Sequence, residues 1–290
     1  MKTESTQCDS NTVSPDGQVP RPAERLSQPT TECGAYALSG RVQALCMVLI
    51  AVILVSNLGL DPLRGSEGRW AVIARSMFRT GDLFNPLLGL KPYWDKPLLS
   101  YWQILPGAWL FGGVTEFSLR LPSVLWGIVM LVLTYDLARR LIGKETAVVS
   151  VGVLATSYGF VLWARHGQVE MTNAATILLC LWYFVRHKGD NGAGWIYGLG
   201  AIAGLCANMK GLTAYAVPGF CIAVWAIVRR DISWLPPLRH LVAASVVSIL
   251  AYLSIPIMSS LACSSVDPFR LARLSHLTSC ESAHIRNSVS

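Results

Sequence analysis

LLSYWQILPGAWLF, residues Leu98–Phe111, is the stretch on which the fold turns. It is apolar enough to enter a membrane, yet it has only 14 residues and carries Gln103, Pro106 and four aromatic side chains. A helix needs about 20 residues to cross the hydrocarbon core. Short aromatic-rich segments of this kind settle in the interface instead. The choice sets the side of the membrane on which every later loop lies.

Seven other apolar stretches read as spans: Val42–Leu60, Leu119–Leu137, Thr146–Ala164, Met171–Val185, Trp195–Met209, Leu212–Val228 and Leu241–Leu261. The chain is 52% hydrophobic and 14% charged, against about 25% charged in soluble domains. It is therefore an all-α, multi-pass membrane protein, because helices satisfy their own backbone in lipid. If Leu98–Phe111 stays out of the core, three short loops share the side of the N-terminus. They hold Arg139, Arg140 and Lys144, then Arg186 and Lys188, then Arg229, Arg230 and Arg239, against Glu145, Asp190 and Asp231. The opposite short connections hold only Arg165, Glu170 and Lys210. The positive-inside rule makes the base-rich side cytoplasmic. Residues 61–118 then form one long extracytoplasmic loop, and Glu67, Arg69, Asp95, Lys96, Arg165, Glu170 and Lys210 gather at its face. Ionisable groups collected at one membrane boundary mark a site.

The net charge of +7 lies mostly in short loops, where it sets orientation and does not indicate nucleic acid. Eight cysteines are spread singly, without a CxxC pair, and indicate neither a disulfide framework nor a zinc site. Residues 1–41, rich in Ser, Thr, Pro and Gln, read as a disordered cytoplasmic tail. Residues 42–261 read as the transmembrane domain. Residues 262–290 read as an irregular polar tail, expected from a frameshift or early stop.

Within the long loop, Trp70, Ile73, Ala74 and Met77 recur at helical spacing opposite Arg69, Arg75 and Arg79. This predicts an amphipathic surface helix over Ser66–Arg79, with Ser66 as N-cap and Gly81-Asp82 as its stop. Arg75, Arg79 and Arg120 read as lipid-headgroup contacts. Trp94, Tyr101 and Trp102 read as an interfacial belt.

The order SEGRWAVIARSM, GD, YWDKPLLSYW, RLPS, RHGQVEMTNAATILL and MKGLTAYAVPG resembles the GT-C glycosyltransferases. Nearest is the branch of lipid A aminoarabinose transferases and bacterial protein O-mannosyltransferase-like enzymes. The resemblance covers roughly Val42 to Pro256. It implies a polyprenyl-phosphate sugar donor and transfer at the outer face of a bacterial inner membrane. The acceptor would be lipid A, another glycolipid or a protein. It also implies roles by position. The family's first-loop Asp-Glu falls on Ser66 and Glu67, which leaves Glu67 as the expected base ahead of Asp61. Asp95 and Glu170 match acidic site positions, and Arg69, Lys96 and Lys210 match basic positions near the donor phosphate. No fixed cofactor is implied; a divalent cation held by a carboxylate is an alternative way to orient the acceptor.

These residue types suit the chemistry. A leaving phosphate needs positive charge in a low-dielectric pocket, and an acceptor hydroxyl needs a carboxylate to take its proton. Plainer readings compete. Asp95-Lys96 could be an exposed loop pair, Glu170 a helix cap, and Lys210 a snorkelling side chain. A transporter component and a catalytically inactive remnant are the alternative functions.

Overall fold

The computed structural model describes residues 40–264, except 90, 191 and 231. The two expected tails lie outside the described residues, apart from 40–41, which open the first helix, and 262–264, which continue the last one. Four long-loop elements follow α1 (Gly40–Val55): α2 (Glu67–Thr80), a hairpin of β1 (Leu87–Leu88) and β2 (Lys91–Pro92), then α3 (Leu99–Trp102) and α4 (Leu105–Leu110). The remaining helices are α5 (Glu116–Leu141), α6 (Lys144–Thr156), α7 (Tyr158–Ala164), α8 (Glu170–His187), α9 (Gly194–Lys210), α10 (Thr213–Arg229) and α11 (Leu238–Ser264).

Leu98–Phe111 breaks into two short helices of four and six residues. A six-residue helix rises only about 9 Å, far short of the hydrocarbon core. Helix α2 forms close to where its periodicity predicts it. Gly81 ends it at φ 69°, donating its backbone N–H to the Met77 carbonyl. Ser66 precedes it with helical backbone angles and makes no side-chain cap. The apolar face of α2 is covered by protein and not by lipid: Ile73, Ala74 and Met77 are fully buried and share a core with Tyr101, Leu105, Leu119 and Val169. Tyr101 packs its ring 4.8 Å from Trp70, and Trp102 donates its indole N–H to the Leu83 carbonyl at 2.7 Å. The loop therefore folds as a small cap on a core it shares with the long helices, and two of the three expected belt aromatics belong to it.

Helix α5 starts at a reciprocal cap in which the Ser118 N–H donates to the Thr115 hydroxyl and the Thr115 N–H to the Ser118 hydroxyl. Among the described residues, Glu116–Leu141 and Leu238–Leu261 are long and apolar enough to cross a membrane. The expected span Thr146–Ala164 is instead a helix pair, α6 and α7, bent by 66° at Ser157, which is extended at φ −69°, ψ 133°. It is a third crossing if the pair counts as one. Helices α1, α9 and α10 have 16 or 17 residues, and α8 begins on Glu170 and ends on Arg186-His187. Length and composition alone thus support fewer than the seven crossings expected.

Helices α9 and α11 pack closely because α9 presents glycines four residues apart. A Cβ on Gly200 would lie 2.6 Å from the Ala244 carbonyl oxygen, and one on Gly204 would lie 2.4 Å from that of Ser248. One turn further on, Asn208 donates its amide to the carbonyls of Ala251 and Tyr252 on α11. This contact carries Lys210, the last residue of α9, to a fixed place beside α11.

Candidate active site

Four of the six expected site residues meet at the junction of the loop cap with α8, α9 and α11. A cavity of about 850 Å³ is lined by Trp94, Asp95, Lys96, Asn208, Lys210 and Tyr252, with Pro256 and Ser259 on α11. Lys96 comes from the turn before α3 and Lys210 from the end of α9. Glu170, at the first turn of α8, forms an ion pair with Lys210. Each partner also suits its helix end, an acid at an N-terminus and a base at a C-terminus. Lys96 pairs with Asp95 at 3.2 Å, and their side chains are 32% and 51% exposed. The site therefore holds two lysines, each matched by one carboxylate. Trp94, the third expected belt aromatic, is one wall of this cavity.

Arg69 does not line the cavity. It donates to the Tyr93 hydroxyl at 2.9 Å, and that hydroxyl donates to Asp95 at 3.2 Å. Arg69 thus reaches the site only through Tyr93. The Lys96 and Tyr93 hydrogen bonds, with the Lys96 charge, hold the Asp95 carboxyl below the usual carboxylate range.

Glu67 departs furthest from expectation. It is fully buried, and its two carboxylate oxygens receive four donors. Arg120 Nε and the Gly167 N–H reach Oε1 at 2.9 and 2.6 Å; Arg120 Nη2 and the Arg64 N–H reach Oε2, both at 2.9 Å. Burial alone would raise its pKa, but the Arg120 bond, the two backbone donors and the Arg120 charge outweigh it and lower it to about 2. A carboxylate with every lone pair committed has no free site for an acceptor proton. In this arrangement Glu67 ties the loop cap to α5 and to the turn before α8. Asp61, the alternative, is exposed and is not among the residues lining the cavity. Arg120, read as a headgroup contact, is the buried partner in this cage; its guanidinium also donates to the carbonyls of Leu58, Asp61 and Pro62. Arg75 stays exposed but is also held by protein, donating to the Val114 carbonyl at 3.0 Å.

Gly167 is required by this cage. A Cβ there would lie 2.6 Å from Leu119 Cγ and 3.2 Å from Glu67 Oε1. Gly167 and Asn208 carry no role that the residue types alone indicate, and Arg120 carries a different one from the headgroup contact expected. A charge five residues into an apolar helix could have pointed to Arg120, since such charges need a buried partner. Asn208 gave no comparable signal.

The family model described as dolichyl-phosphate-mannose-protein mannosyltransferase matches residues 95–255, over half of the chain. The chain belongs to this family. The matched region starts on Asp95 and ends one residue before Pro256, so it contains Lys96, Glu170, Asn208 and Lys210 but leaves out Glu67 and Arg69. Among similar proteins, the undecaprenyl phosphate-alpha-4-amino-4-deoxy-L-arabinose arabinosyl transferase of Edwardsiella ictaluri is 34% identical over 170 residues, 57% of this chain and 30% of that one. An uncharacterized protein of Aquifex aeolicus is 31% identical over 192 residues, 64% of this chain and 37% of its own length. Among solved structures, ArnT from Cupriavidus metallidurans bound to undecaprenyl phosphate superimposes with a TM-score of 0.67 at 25% identity, over 78% of this chain and 43% of that one. The chain thus spans well under half the length of each of these relatives. The helical architecture is that of a GT-C glycosyltransferase.

Proposed function

We propose that this chain binds a polyprenyl-phosphate sugar and transfers the sugar to a lipid or protein acceptor at the outer face of a bacterial inner membrane. The observation that carries the reading is that Lys96 and Lys210, 114 residues apart in sequence, line one cavity next to two carboxylates. The homology supports the donor class, since the relatives named above include arabinosyl transferases of undecaprenyl phosphate sugars.

The two ammonium groups hold the donor phosphate between them. As the phosphate engages the lysines, Asp95 and Glu170 lose their partners, and Asp95, no longer held down by Lys96, gains basicity. The acceptor oxygen attacks the anomeric carbon, and the bond from that carbon to the phosphate oxygen breaks. The electron pair leaves on the phosphate, whose added charge Lys96 and Lys210 stabilise. The proton passes to a carboxylate. Asp95 is the first choice because its side chain is half exposed and open to an acceptor; Glu170 is the second. Lipid A and other glycolipids present suitable hydroxyls, as do protein side chains.

A second reading, donor binding without transfer, is favoured by the cage around Glu67 and by Ser66 beside it, which together leave no free base at the family's first-loop Asp-Glu position. Membranes containing the chain, incubated with a radiolabelled polyprenyl-phosphate sugar, separate the two. Label moving to an acceptor supports transfer, and retention of unchanged donor supports binding alone. Label crossing the membrane unchanged would favour a transporter. Reaction of a cysteine placed at position 95 with an impermeant reagent added outside tests the side; reaction only from the cytosol would overturn the outer-face assignment.

A further inference from the structure

Asn208 lies two residues before Lys210 on α9, is 1% exposed and lines the same cavity. Its amide nitrogen faces three carbonyl oxygens: Gly204 at 3.2 Å, Ala251 at 3.4 Å and Tyr252 at 3.1 Å. These fix the orientation of the amide, because a flipped group would set an oxygen against three oxygens. The consequence is that Asn208 Oδ1 has no partner. Among the described residues it is the one fully buried side-chain nitrogen or oxygen left without one. Buried acceptors are nearly always satisfied, and an exception calls for a missing donor.

We propose that Asn208 is a specificity-determining residue, whose Oδ1 accepts a hydrogen bond from an O–H or N–H of the sugar carried by the donor lipid. This rests on the donor-binding reading above. The cavity's other fixed groups divide the ligand differently. Lys96 and Lys210 are donors only, so they read the phosphate and not a hydroxyl hydrogen. Asp95 and Glu170 sit beside those lysines, where the phosphate and the acceptor oxygen meet, and are reserved there for the acceptor's proton. The phosphodiester of a lipid-linked sugar carries no hydrogen to donate, and the prenyl tail has none. Among the parts of that ligand, the sugar ring alone supplies the donor that Oδ1 lacks. A site that hydrogen-bonds a substrate group discriminates strongly against an analogue without it. Asn208 therefore distinguishes the loaded lipid from the spent one, retaining donor and releasing product.

The test measures dissociation constants of the full chain in nanodiscs for three lipids: bare undecaprenyl phosphate at pH 8, the same lipid carrying a neutral hexose, and one carrying an amino sugar. Asn208→Leu is expected to weaken both sugar-bearing lipids by about tenfold or more and the bare lipid by less than about twofold, the scale of one buried hydrogen bond. Loss confined to the amino sugar would assign the donor to its nitrogen, and equal loss on both sugars to a hydroxyl. Equal weakening of all three lipids, or of none, overturns the proposal. If Asn208→Leu does not fold, as judged by its thermal transition, Asn208→Ser replaces it; serine removes Oδ1 and keeps a short donor. Failure of the unsubstituted chain to bind any of the lipids would instead overturn the donor-binding reading itself.

Discussion

The Gly167 N–H donates to Glu67 Oε1 at 2.6 Å, joining two residues 100 positions apart. The same oxygen accepts from Arg120 Nε. One carboxylate therefore ties the loop cap to α5 and to the turn before α8, and so holds the turn bearing Asp95 and Lys96 against the helices bearing Glu170 and Lys210. Breaking a buried ion pair by removing one partner leaves the other charge uncompensated, at a loss of about 3–5 kcal/mol. Arg120→Leu and Glu67→Gln should each lower the thermal transition of the detergent-solubilised chain accordingly. A change no larger than that of a surface substitution would show that the cage does not hold the cap.

Gly167→Ala should destabilise by about 1–3 kcal/mol, since its Cβ would press on Leu119 and on the Glu67 oxygen. The thermal transition measures this as well. Gly113→Ala is the comparison, because a Cβ there meets nothing within 4 Å.

Acid should loosen the cap within a defined window. The Glu67 pKa is held at about 2, below its ordinary 4.5. Stability from a depressed carboxylate is fully present above the higher value and is lost as pH falls toward the lower one, about 3 kcal/mol in all. Unfolding midpoints should therefore drop between about pH 4.5 and pH 2. Glu67→Gln should lose most of that slope; an unchanged slope would assign the acid sensitivity to other groups.

Asp95→Asn and Glu170→Gln should separate the proton acceptor from its neighbour. Each keeps the shape of the side chain and removes the charge. The acceptor's loss should reduce transfer by about 10²–10⁴-fold while donor binding is retained. The other substitution should chiefly alter binding, because it frees a lysine. Tyr93→Phe should have a small effect on transfer, since it removes only the link from Arg69 to Asp95. A large Tyr93→Phe effect on donor affinity would give Arg69 a direct role.

The membrane class and the amphipathic α2 were legible from residue types, whereas Asp95, Lys96, Glu170 and Lys210 stood out from the other ionisable residues at that face only through the family resemblance. Periodicity located Ile73, Ala74 and Met77 on one face, and Gly81 marked the end of α2. What periodicity could not show was what covers that face. An apolar stripe reads the same whether it meets lipid or the underside of Tyr101 and Leu105. The surroundings of Glu67 were hidden for a related reason. The sequence places an acid where a base is wanted, but its basicity depends on donors from positions 64, 120 and 167 that only the fold brings together. The bend at Ser157 was equally hidden, because the apolar run continues across it unbroken. The close approach of α9 to α11 could have been read from Gly200 and Gly204 at four-residue spacing, but not the identity of the partner helix.

The central claim is that Lys96 and Lys210 act on one phosphate. Its most direct test is the affinity for bare undecaprenyl phosphate of the chain, of Lys96→Ala, of Lys210→Ala and of the double variant. Charge-assisted hydrogen bonds of about 1.5–3 kcal/mol predict that each single substitution weakens binding by about 10- to 100-fold. The double variant should lose less or more than the sum of the singles, because the two groups share a ligand. Wild-type affinity in both single variants would contradict the account.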